Sequence, residues 1–432
     1  MPAVHVEKSS NGLATSINGD TKEYSALQAD DESRFSIFRR LVPIVADDTV
    51  TYLNASFAPP SNLVVHDAIC QYSSEALRHP SPKPRWQEAV EETRELVAKY
   101  INADSSAIAF TRDTTEALGS FIQGIRFQPG DNVVILDTEH PNHAYAWMSL
   151  RQAGLEVRQV PTIAEAERTG KVVAANAATF APYVDRRTRA IGLSSVMFHS
   201  GQWNDIADIC TAYRPKGIHI VADVTQQVGF ARIDVRSLGV SAAAFSLHKG
   251  LNCPTGLAVL YVDTDVICEM DPIPPIVGYG AVSNARSDLL VPADPIVYHP
   301  TARRYEHLNL SLIAVAAAKA FLKFYLEVMG PEAVERHLYA LGDALYQECK
   351  GLGIGIVGPK NRKEHAPHLY ILDLHNTGWV EHLKDAGIIV TPYRLGIRVS
   401  FGFYNNFEDV KKLSLAVRAG LDAGIPTTGR NM

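Results

Sequence analysis

The chain has 432 residues, of which 46% are hydrophobic and 20% are charged, as is typical of a folded globular protein. Its formal net charge of −6 gives no basic surface of the kind that binds nucleic acid, so we expect no nucleic-acid partner. No apolar run approaches the roughly 18 residues that a membrane span needs, so we expect no membrane insertion. The five cysteines are scattered without CxxC spacing, which predicts a reduced, cytoplasmic protein.

The order of the elements predicts an α/β protein with two domains and a tail. Residues 1–30 are polar and aperiodic, and we expect them to form a flexible tail. Residues 31–62 hold a short helix and a short strand, and we expect this segment to join a smaller domain. Residues 63–305 alternate apolar runs with helical spacing, which is typical of a mostly parallel sheet covered on both faces. Residues 306–432 have a mixed order, which predicts a smaller α+β domain.

The strands predicted for the larger domain are 107–110, 132–136, 157–160, 190–193, 218–222, 245 and 257–262. The predicted helices are 33–41, 63–76, 86–101, 116–125, 144–153, 206–213, 310–329, 331–350, 379–386 and 407–423. In parallel sheets of this kind, ligands bind at the carboxyl ends of the strands. Polar residues that directly follow these strands are therefore the first candidates for a site.

Lys249 closely follows the apolar run that ends near Phe245, and Asp223 ends the earlier apolar strand. A buried lysine can form an imine with an aldehyde cofactor, and a buried acid can keep a ring nitrogen protonated. An unpaired buried carboxylate is costly, so the ring nitrogen would be a good partner for Asp223. We therefore predict pyridoxal 5'-phosphate (PLP) as the cofactor and Lys249 as the catalytic residue that forms the Schiff base.

Other residues have the types that PLP requires. Thr114 and Thr115 stand where a strand passes into a helix, and hydroxyls at a helix N-terminus suit a phosphate. A plain helix cap remains the alternative. Ser246 and His248 flank Lys249 and would complete the phosphate site.

His140 follows a strand and could stack on the cofactor ring, although a lone histidine is more often a surface or core residue. Gln226 lies three residues after Asp223 and could reach the ring hydroxyl. Arg398 stands among apolar residues, where its guanidinium could hold a substrate carboxylate with two hydrogen bonds. An internal ion pair is the alternative for Arg398.

Two further patterns are weak. The run Gly353–Gly358 fits G-x-G-x-x-G, but it follows a helix and precedes none, so we predict no nicotinamide binding. His365, His368 and His375 lack the spacing of a metal site, so we predict no metal.

The chain resembles the class V aminotransferase and cysteine desulfurase family of fold type I PLP enzymes. The matching stretches, in family order between about residues 50 and 420, are YLNAS, FTRDTTEAL, EHPNHAYAW, VADVTQQVG, FSLHKGLNCPTGLAVLYV, RYEHLNLSL and RVSFGFYNNFEDV. The resemblance implies a seven-stranded-type sheet in the large domain and a homodimer with active sites between subunits. It also implies an amino-acid substrate, with its carboxylate on Arg398 and with His140, Asp223, Gln226, Thr115, Ser246 and His248 around the cofactor.

The chain departs from the family at three places. No cysteine occurs in residues 380–397, where desulfurases carry their nucleophile, and Cys253 is best interpreted as a structural thiol. Asn309 replaces a threonine that would reach the partner's phosphate. Residues 196–202 resemble the kynureninase and isopenicillin-epimerase branches, and Phe198 would line an apolar pocket. We also expect Asn54 and Tyr279 to contact the substrate.

These departures favour a lyase- or cyclase-type reaction on an amino acid, by β- or γ-elimination or by carbon–carbon bond formation, as in secondary metabolism. A loline-type Mannich cyclisation is one such reaction. Aminotransferase, epimerase, kynureninase-like hydrolase and C–S lyase activities remain alternatives, as does a catalytically dead binding protein.

Overall fold

The computed structural model describes residues 31–428 apart from residues 48, 170, 287–293 and 360. The predicted tail, residues 1–30, lies outside the described residues. In the described part of the chain, no helix is both long and apolar enough to cross a lipid bilayer.

The helices and strands are labelled in chain order. The helices are α1 (Asp31–Arg39), α2 (Pro43–Ala46), α3 (Leu63–Arg78), α4 (Lys83–Ile101), α5 (Thr114–Gly124), α6 (Pro141–Met148), α7 (Thr162–Thr169), α8 (Ala177–Phe180), α9 (Ile206–Tyr213), α10 (Val235–Leu238), α11 (Leu312–Phe324), α12 (Pro331–Leu352), α13 (Gly378–Asp385) and α14 (Phe407–Asp422). The strands are β1 (Thr51–Tyr52), β2 (Ile108–Thr111), β3 (Asn132–Leu136), β4 (Glu156–Val160), β5 (Thr188–Ser194), β6 (His219–Asp223), β7 (Ala242–Ser246), β8 (Ala258–Val262), β9 (Ile356–Val357), β10 (Leu369–Leu372), β11 (Ile388–Ile389), β12 (Thr391–Tyr393) and β13 (Gly396–Ser400).

The central sheet has seven strands in the order β2-β8-β7-β6-β5-β3-β4. Neighbouring strands from β7 to β4 are parallel, and β8 runs antiparallel to both of its neighbours. The prediction of a mostly parallel sheet in an α/β fold is therefore confirmed.

Both faces of this sheet are covered by apolar side chains. Along β3, Val134 and Leu136 join one hydrophobic cluster, whereas Val133 and Ile135 join the other. Successive side chains of a strand point to opposite faces, so the two clusters lie on opposite sides of the sheet. Continuous apolar runs, rather than alternating ones, are what a sheet buried on both faces requires.

The parallel strands bring several polar residues to one edge of the sheet. Strands β5, β6 and β7 end at Ser194, Asp223 and Ser246, and β3 ends shortly before His140. Because the strands are parallel, their carboxyl ends meet at this edge, where α/β sheets bind their ligands.

A second, antiparallel sheet has four strands in the order β12-β13-β10-β9. The N-terminal segment reaches this region, since Thr51 of β1 pairs with Ile388 of β11 and Asn54 forms a bridge with Ser400 of β13. The domain limits at residues 30, 62 and 305 stay predictions.

Several elements differ from the expectation. Helix α11 ends at Phe324, and a π-helical turn continues to Met329, where one helix to residue 329 was predicted. Helix α7, the short helices α2, α8 and α10, and strand β12 were not predicted. Strand β12 contains Pro392, which has no backbone N–H, and a sheet tolerates such a residue on an edge strand.

A buried ion pair ties helix α4 to strand β2 and to the segment that follows residue 301. Nη1 and Nη2 of Arg94 donate to the two carboxylate oxygens of Glu306 at 2.5 and 3.1 Å. The same carboxylate accepts the backbone N–H of Phe110 at 2.7 Å, and Arg94 also donates to Ile108 O at 2.9 Å. Arg94 is only 2% exposed, so it depends on these acceptors.

We expect Glu306→Ala to destabilise the fold by about 3–5 kcal/mol, because it leaves the buried charge of Arg94 without its main partner. The measurement is the shift of the first unfolding transition in urea. Glu92→Ala is the matched control, since Glu92 pairs with Lys319 at the surface and such pairs contribute about 0–1 kcal/mol. Equal shifts for both variants would contradict this role of Glu306.

Candidate active site

A cavity of about 360 Å³ opens at the edge where the parallel strands end. We call it the first cavity. The predicted cofactor residues that line it are Thr114, Thr115, His140, Asp223, Gln226, Ser246, His248 and Lys249. Phe198, predicted to contact the substrate, lines it as well. The structure therefore brings residues from five separate stretches of sequence into one cavity.

A tight turn after β7 places Lys249 in the first cavity. Asn252 N donates to Lys249 O at 2.8 Å, and Asn252 adopts a positive φ of 51°. A Cβ on Gly250 would lie 2.3 Å from Val228 O, so only glycine allows the turn to pass this close to the neighbouring loop.

Burial sets the protonation of Lys249. Desolvation lowers the pKa of its amine from 10.5 to about 8, although the carboxylate of Asp223 opposes the shift and the charge of Arg398 adds to it. Asp223 lines the same cavity as Lys249. An amine with a pKa near 8 is available in its neutral, nucleophilic form close to neutral pH.

Asp223 is held by the start of the next turn. Its Oδ1 accepts the backbone N–H of Thr225 at 2.9 Å. Strand β6 lies beside β7 with Asp223 opposite Ala244, so the register fixes the acid next to the strand that leads to Lys249. A carboxylate in this position would pair with a protonated ring nitrogen.

Three hydroxyls cluster at the N-terminus of the 11-residue helix α5. Thr114 Oγ1 lies 2.6 Å from Ser246 Oγ and 3.1 Å from Thr225 Oγ1. Helix N-termini attract anions through their N–H groups and the helix dipole, and the hydroxyls add donors. This end of the cavity would hold a phosphate.

The imidazoles in the first cavity are neutral at pH 7. Burial lowers the pKa of His140, and it lowers the pKa of His248 to about 4. Nδ1 of His140 accepts the backbone N–H of Asn142 at 3.2 Å, which orients the ring at the start of α6. A neutral imidazole in a fixed orientation can stack on the flat ring of the cofactor. It does not repel that ring when the ring nitrogen is protonated.

Gln226 presents an unused polar atom. Its Nε2 donates to Ser56 O at 3.0 Å, whereas its buried Oε1 has no hydrogen-bond partner. Buried polar atoms are rarely left unpaired, so Oε1 indicates a ligand that carries a donor, such as a ring hydroxyl.

Arg398 is 1% exposed and does not line the first cavity, but it contacts Phe198, which does. Its Nη1 donates to Phe198 O at 2.9 Å, its Nη2 lies 3.4 Å from Asn54 Oδ1, and its guanidinium stands 4.5 Å over the ring of Tyr393. Burial lowers its pKa, and its Nε has no hydrogen-bond partner. Among the described residues no carboxylate forms an ion pair with Arg398, which fits a substrate carboxylate as its partner.

Four predicted residues do not line the first cavity: Arg398 and Asn54, which are buried beside it and in contact with each other, and Asn309 and Tyr279. Asn309 is exposed, and Tyr279 is 44% exposed in a short helical turn at Tyr279–Ala281. Gly280, beside Tyr279, lies next to the backbone of residues 306–308, so both residues belong to one surface region. Their predicted roles depend on a second subunit.

The weak patterns have structural explanations. Gly353 ends helix α12 with a left-handed φ of 70°. His365 stacks on Tyr370 at 4.8 Å and His368 stacks on Phe230 at 3.8 Å. No group of three or more His, Cys, Asp or Glu among the described residues is placed to hold a metal ion.

Cys253 is a buried thiol and does not line the first cavity. Its Sγ donates to Leu251 O at 3.2 Å, and burial raises the pKa of the thiol. A thiol with a raised pKa is a poor nucleophile.

Solved structures share this fold. An apo cysteine desulfurase from Thermococcus onnurineus aligns with a TM-score of 0.77 over 89% of this chain and 97% of its own, at 21% identity. A mutant of C-DES, with glycine covalently linked to its PLP cofactor, aligns with a TM-score of 0.78 over 87% and 98% of the two chains, at 20% identity. The fold is that of fold type I PLP enzymes.

The family is defined by sequence. The model of the class-V aminotransferase family matches residues 63–413, and the chain belongs to this family. An uncharacterised aminotransferase of Schizosaccharomyces pombe is 49% identical over 91% of this chain and 98% of its own length. A probable cysteine desulfurase of Methanothermobacter thermautotrophicus is 30% identical over 75% and 78%.

The protein is thus a PLP-dependent enzyme of the class V aminotransferase family. The cavity fits the cofactor on its own evidence: hydroxyls at a helix N-terminus for the phosphate, the acid Asp223, a lysine with a lowered pKa and the unpaired Oε1 of Gln226.

Six lining residues were not predicted from the sequence: Phe57, Asp113, Asn142, Ser194, Val196 and Thr225. Thr225 follows Asp223 by two positions, and its hydroxyl joins the phosphate end of the cavity. The pattern D-x-T after an apolar strand was the available signal. Phe57 lines the cavity although it is 62% exposed, and no local pattern indicated it.

We expect the rate at which PLP forms a Schiff base with the apoenzyme to rise with pH through about 8. The neutral amine is the reactive form, and the pKa of Lys249 is lowered from 10.5 to about 8, so the neutral fraction increases across that range. Stopped-flow absorbance between pH 6.5 and 10 gives the midpoint.

Arg398→Ala provides the matched variant for this titration. The charge of Arg398 lowers the pKa of Lys249, so its removal moves the midpoint to higher pH. A wild-type midpoint near 10 would show that burial does not control Lys249.

Proposed function

We propose that the protein is a lyase-type enzyme that uses PLP to break or exchange a bond at the β- or γ-carbon of an α-amino acid. The observation that supports this proposal is the contact between a buried arginine, Arg398, and the wall of the first cavity. Arg398 donates to the backbone of Phe198, and Phe198 lines the cavity that contains Lys249. A carboxylate on Arg398 would place the amino group of the same substrate toward Lys249.

In this arrangement each residue has a distinct task. Arg398 orients the substrate through its carboxylate, and Asn54 and Phe198 O hold the guanidinium in place. Lys249 moves the proton at the α-carbon, since an amine with a pKa near 8 can act as base and then as acid. The bound cofactor supplies the electron sink. The carboxylate of Asp223 would keep the ring nitrogen protonated, and a protonated ring accepts electrons more readily.

The charges in the cavity support a lyase over an aminotransferase. Among the described residues, Lys249 is the only lysine or arginine that lines the first cavity. A dicarboxylic amino-group acceptor would need a second cation for its distal carboxylate, and the described residues that line this cavity include none besides Lys249. Carbon–carbon bond formation needs the same proton transfer and the same electron sink, so it falls within the proposal.

The lining also disfavours persulfide chemistry. No cysteine among the described residues lines the first cavity, and a desulfurase requires a thiolate to receive the sulfur. Elimination has no such requirement.

Transamination is the second candidate, because the S. pombe relative that is 49% identical is named an aminotransferase. In that reaction Lys249 would move the proton from the α-carbon to the cofactor, and a keto acid would later accept the amino group.

A homodimer is part of the proposal. The segment around Tyr279 and the nearby Leu308 expose apolar side chains, among them Ile273 at 59% and Val277 at 46%. Exposed apolar patches of this kind support an interface with a second subunit. Asn309 lies beside this patch, as its predicted role in the partner's active site requires. Cytoplasmic location and a role in secondary metabolism stay predictions.

The function is tested by incubating the holoenzyme with a panel of amino acids in deuterated water without added keto acid. Elimination removes the α-proton and the side-chain substituent, and hydrolysis of the resulting enamine gives ammonium and a keto acid. We expect catalytic release of both, measured by NMR and mass spectrometry. Turnover only when a keto acid is added would support transamination and contradict the lyase proposal, and recovery of α-deuterated amino acid alone would support epimerisation.

We expect Arg398→Ala to lower kcat/KM roughly 10- to 100-fold, as the loss of charge-assisted hydrogen bonds of ~1.5–3 kcal/mol implies. Arg398→Lys keeps the charge but loses the planar fork, so it should recover only part of the activity. At a pH above the pKa of Lys249, the corresponding amine without a carboxylate should lose far less kcat/KM in Arg398→Ala than the amino acid does. An unchanged kcat/KM for the amino acid would remove Arg398 from substrate binding.

A further inference from the structure

A second cavity of about 310 Å³ lies directly behind Phe198, and Phe198 lines both cavities. It lies between the loop after β3, helix α7 with the segment that follows it, and the turn between β12 and β13. Its apolar lining residues are Pro141, Ile163, Ala166, Val172, Val173, Phe198, Tyr393 and Leu395. Val173 is 63% exposed, so the cavity opens to the surface on that side.

The polar groups in its wall already have partners. Asp137 accepts hydrogen bonds from the hydroxyl and backbone N–H of Thr162 and from Ile163 N at 3.3 Å. Both oxygens of Glu139 accept from Ser194, at 3.0 Å from N and 2.6 Å from Oγ.

Gln202, His199 and Arg394 are further polar residues that line the second cavity. The amide of Gln202 donates to Asn204 Oδ1 at 3.1 Å and accepts from Ser200. Burial lowers the pKa of His199 to about 4, so this imidazole is neutral. Arg394 is engaged in an interaction within the protein. A ligand in this cavity therefore meets apolar surface and satisfied polar groups.

The proposed anchor for a substrate carboxylate, Arg398, lines neither cavity but contacts two residues that do. Arg398 donates to Phe198 O, and its guanidinium lies over the ring of Tyr393, which lines the second cavity. The rings of Phe198 and Tyr393 are 5.8 Å apart. A substrate with its carboxylate on Arg398 thus has its α-carbon beside the aromatic wall that separates the cavities.

The two cavities have different chemistry, which assigns them to different parts of the complex. The first cavity carries the hydroxyls, the acid and the lysine that a phosphate and a heteroaromatic ring require. Its volume lies at the lower end of the range for ligand pockets, which is roughly 300–1,000 Å³. The second offers apolar area, and the carboxylates of Asp137 and Glu139 in its wall already accept hydrogen bonds. An apolar group gains most from that surface, whereas an ionised side chain would lose its hydration there without a partner.

We infer that the second cavity binds the side chain of the substrate, and that the substrate is an amino acid with a large apolar side chain, leucyl or benzyl in size. This assignment rests on the proposed function, since it requires an amino acid held by Arg398. In an elimination, the departing group would occupy this cavity. Phe198 is then the residue past which the side chain enters.

The test measures amino-acid binding to the holoenzyme through the change in cofactor absorbance. We expect L-phenylalanine and L-leucine to bind with a Kd at least tenfold lower than that of L-alanine, and L-glutamate to bind more weakly than L-leucine. Ala166→Phe fills the cavity and should lower the alanine-to-phenylalanine Kd ratio at least fivefold. The matched control is Ala164→Phe, on the exposed face of the same helix, which should leave this ratio unchanged.

If Ala166→Phe loses cofactor or its circular dichroism spectrum, Val172→Phe fills the same cavity from the segment after α7 and decides the question. Three results would overturn the assignment: equal Kd values for alanine and phenylalanine in the wild type, tighter binding of glutamate than of leucine, or an unchanged Kd ratio in the cavity-filling variant. In each case an absorbance response to alanine would still support amino-acid binding. No absorbance change with any amino acid would overturn the proposed function and this assignment together.

Discussion

The amine of Lys249 and the carboxylate of Asp223 share one cavity, where the carboxylate opposes the lowering of the Lys249 pKa by burial. Buried charges are costly, so they persist only where rigid elements hold them and where partners are available. Strands β6 and β7 supply that rigidity, because their register places Asp223 opposite Ala244, shortly before Lys249. The rest of the large sheet, buried on both faces, keeps these two strands in place.

The substrate side of the site depends on a different part of the chain. Arg398 lies on β13 of the smaller sheet, and Asn54 reaches it from the N-terminal segment, which pairs with that sheet through β1. The backbone of Phe198 joins this arginine to the loop after β5. The site is therefore assembled where two sheets meet, and a change in their relative position would alter the distance between the carboxylate anchor and Lys249.

Much of the fold and of the cofactor site could be predicted from the sequence. Strands such as β3 are continuous apolar runs, and the residues that follow parallel strands must meet at one edge, so Asp223, Ser246 and Lys249 could be grouped before their contacts were known. The buried position of Arg398 could be expected because it interrupts an apolar run.

The remaining features depend on long-range packing. Phe57 is far in sequence from the other lining residues, and Thr225 gains its role only through contact with Thr114. The second cavity exists because α7 and the turn after β12 pack around Phe198, and neither element was predicted. Asn309 and Tyr279 are exposed in the single chain, and their predicted roles require the proposed second subunit.

The most direct test of this account is reduction of the holoenzyme with borohydride followed by peptide mapping. Reduction converts an imine between a lysine and the cofactor into a stable secondary amine. The account predicts a yellow protein whose reduced cofactor is attached to the peptide that contains Lys249, and no such attachment in Lys249→Ala. Attachment to another lysine, or a colourless protein that PLP does not reconstitute, would contradict it.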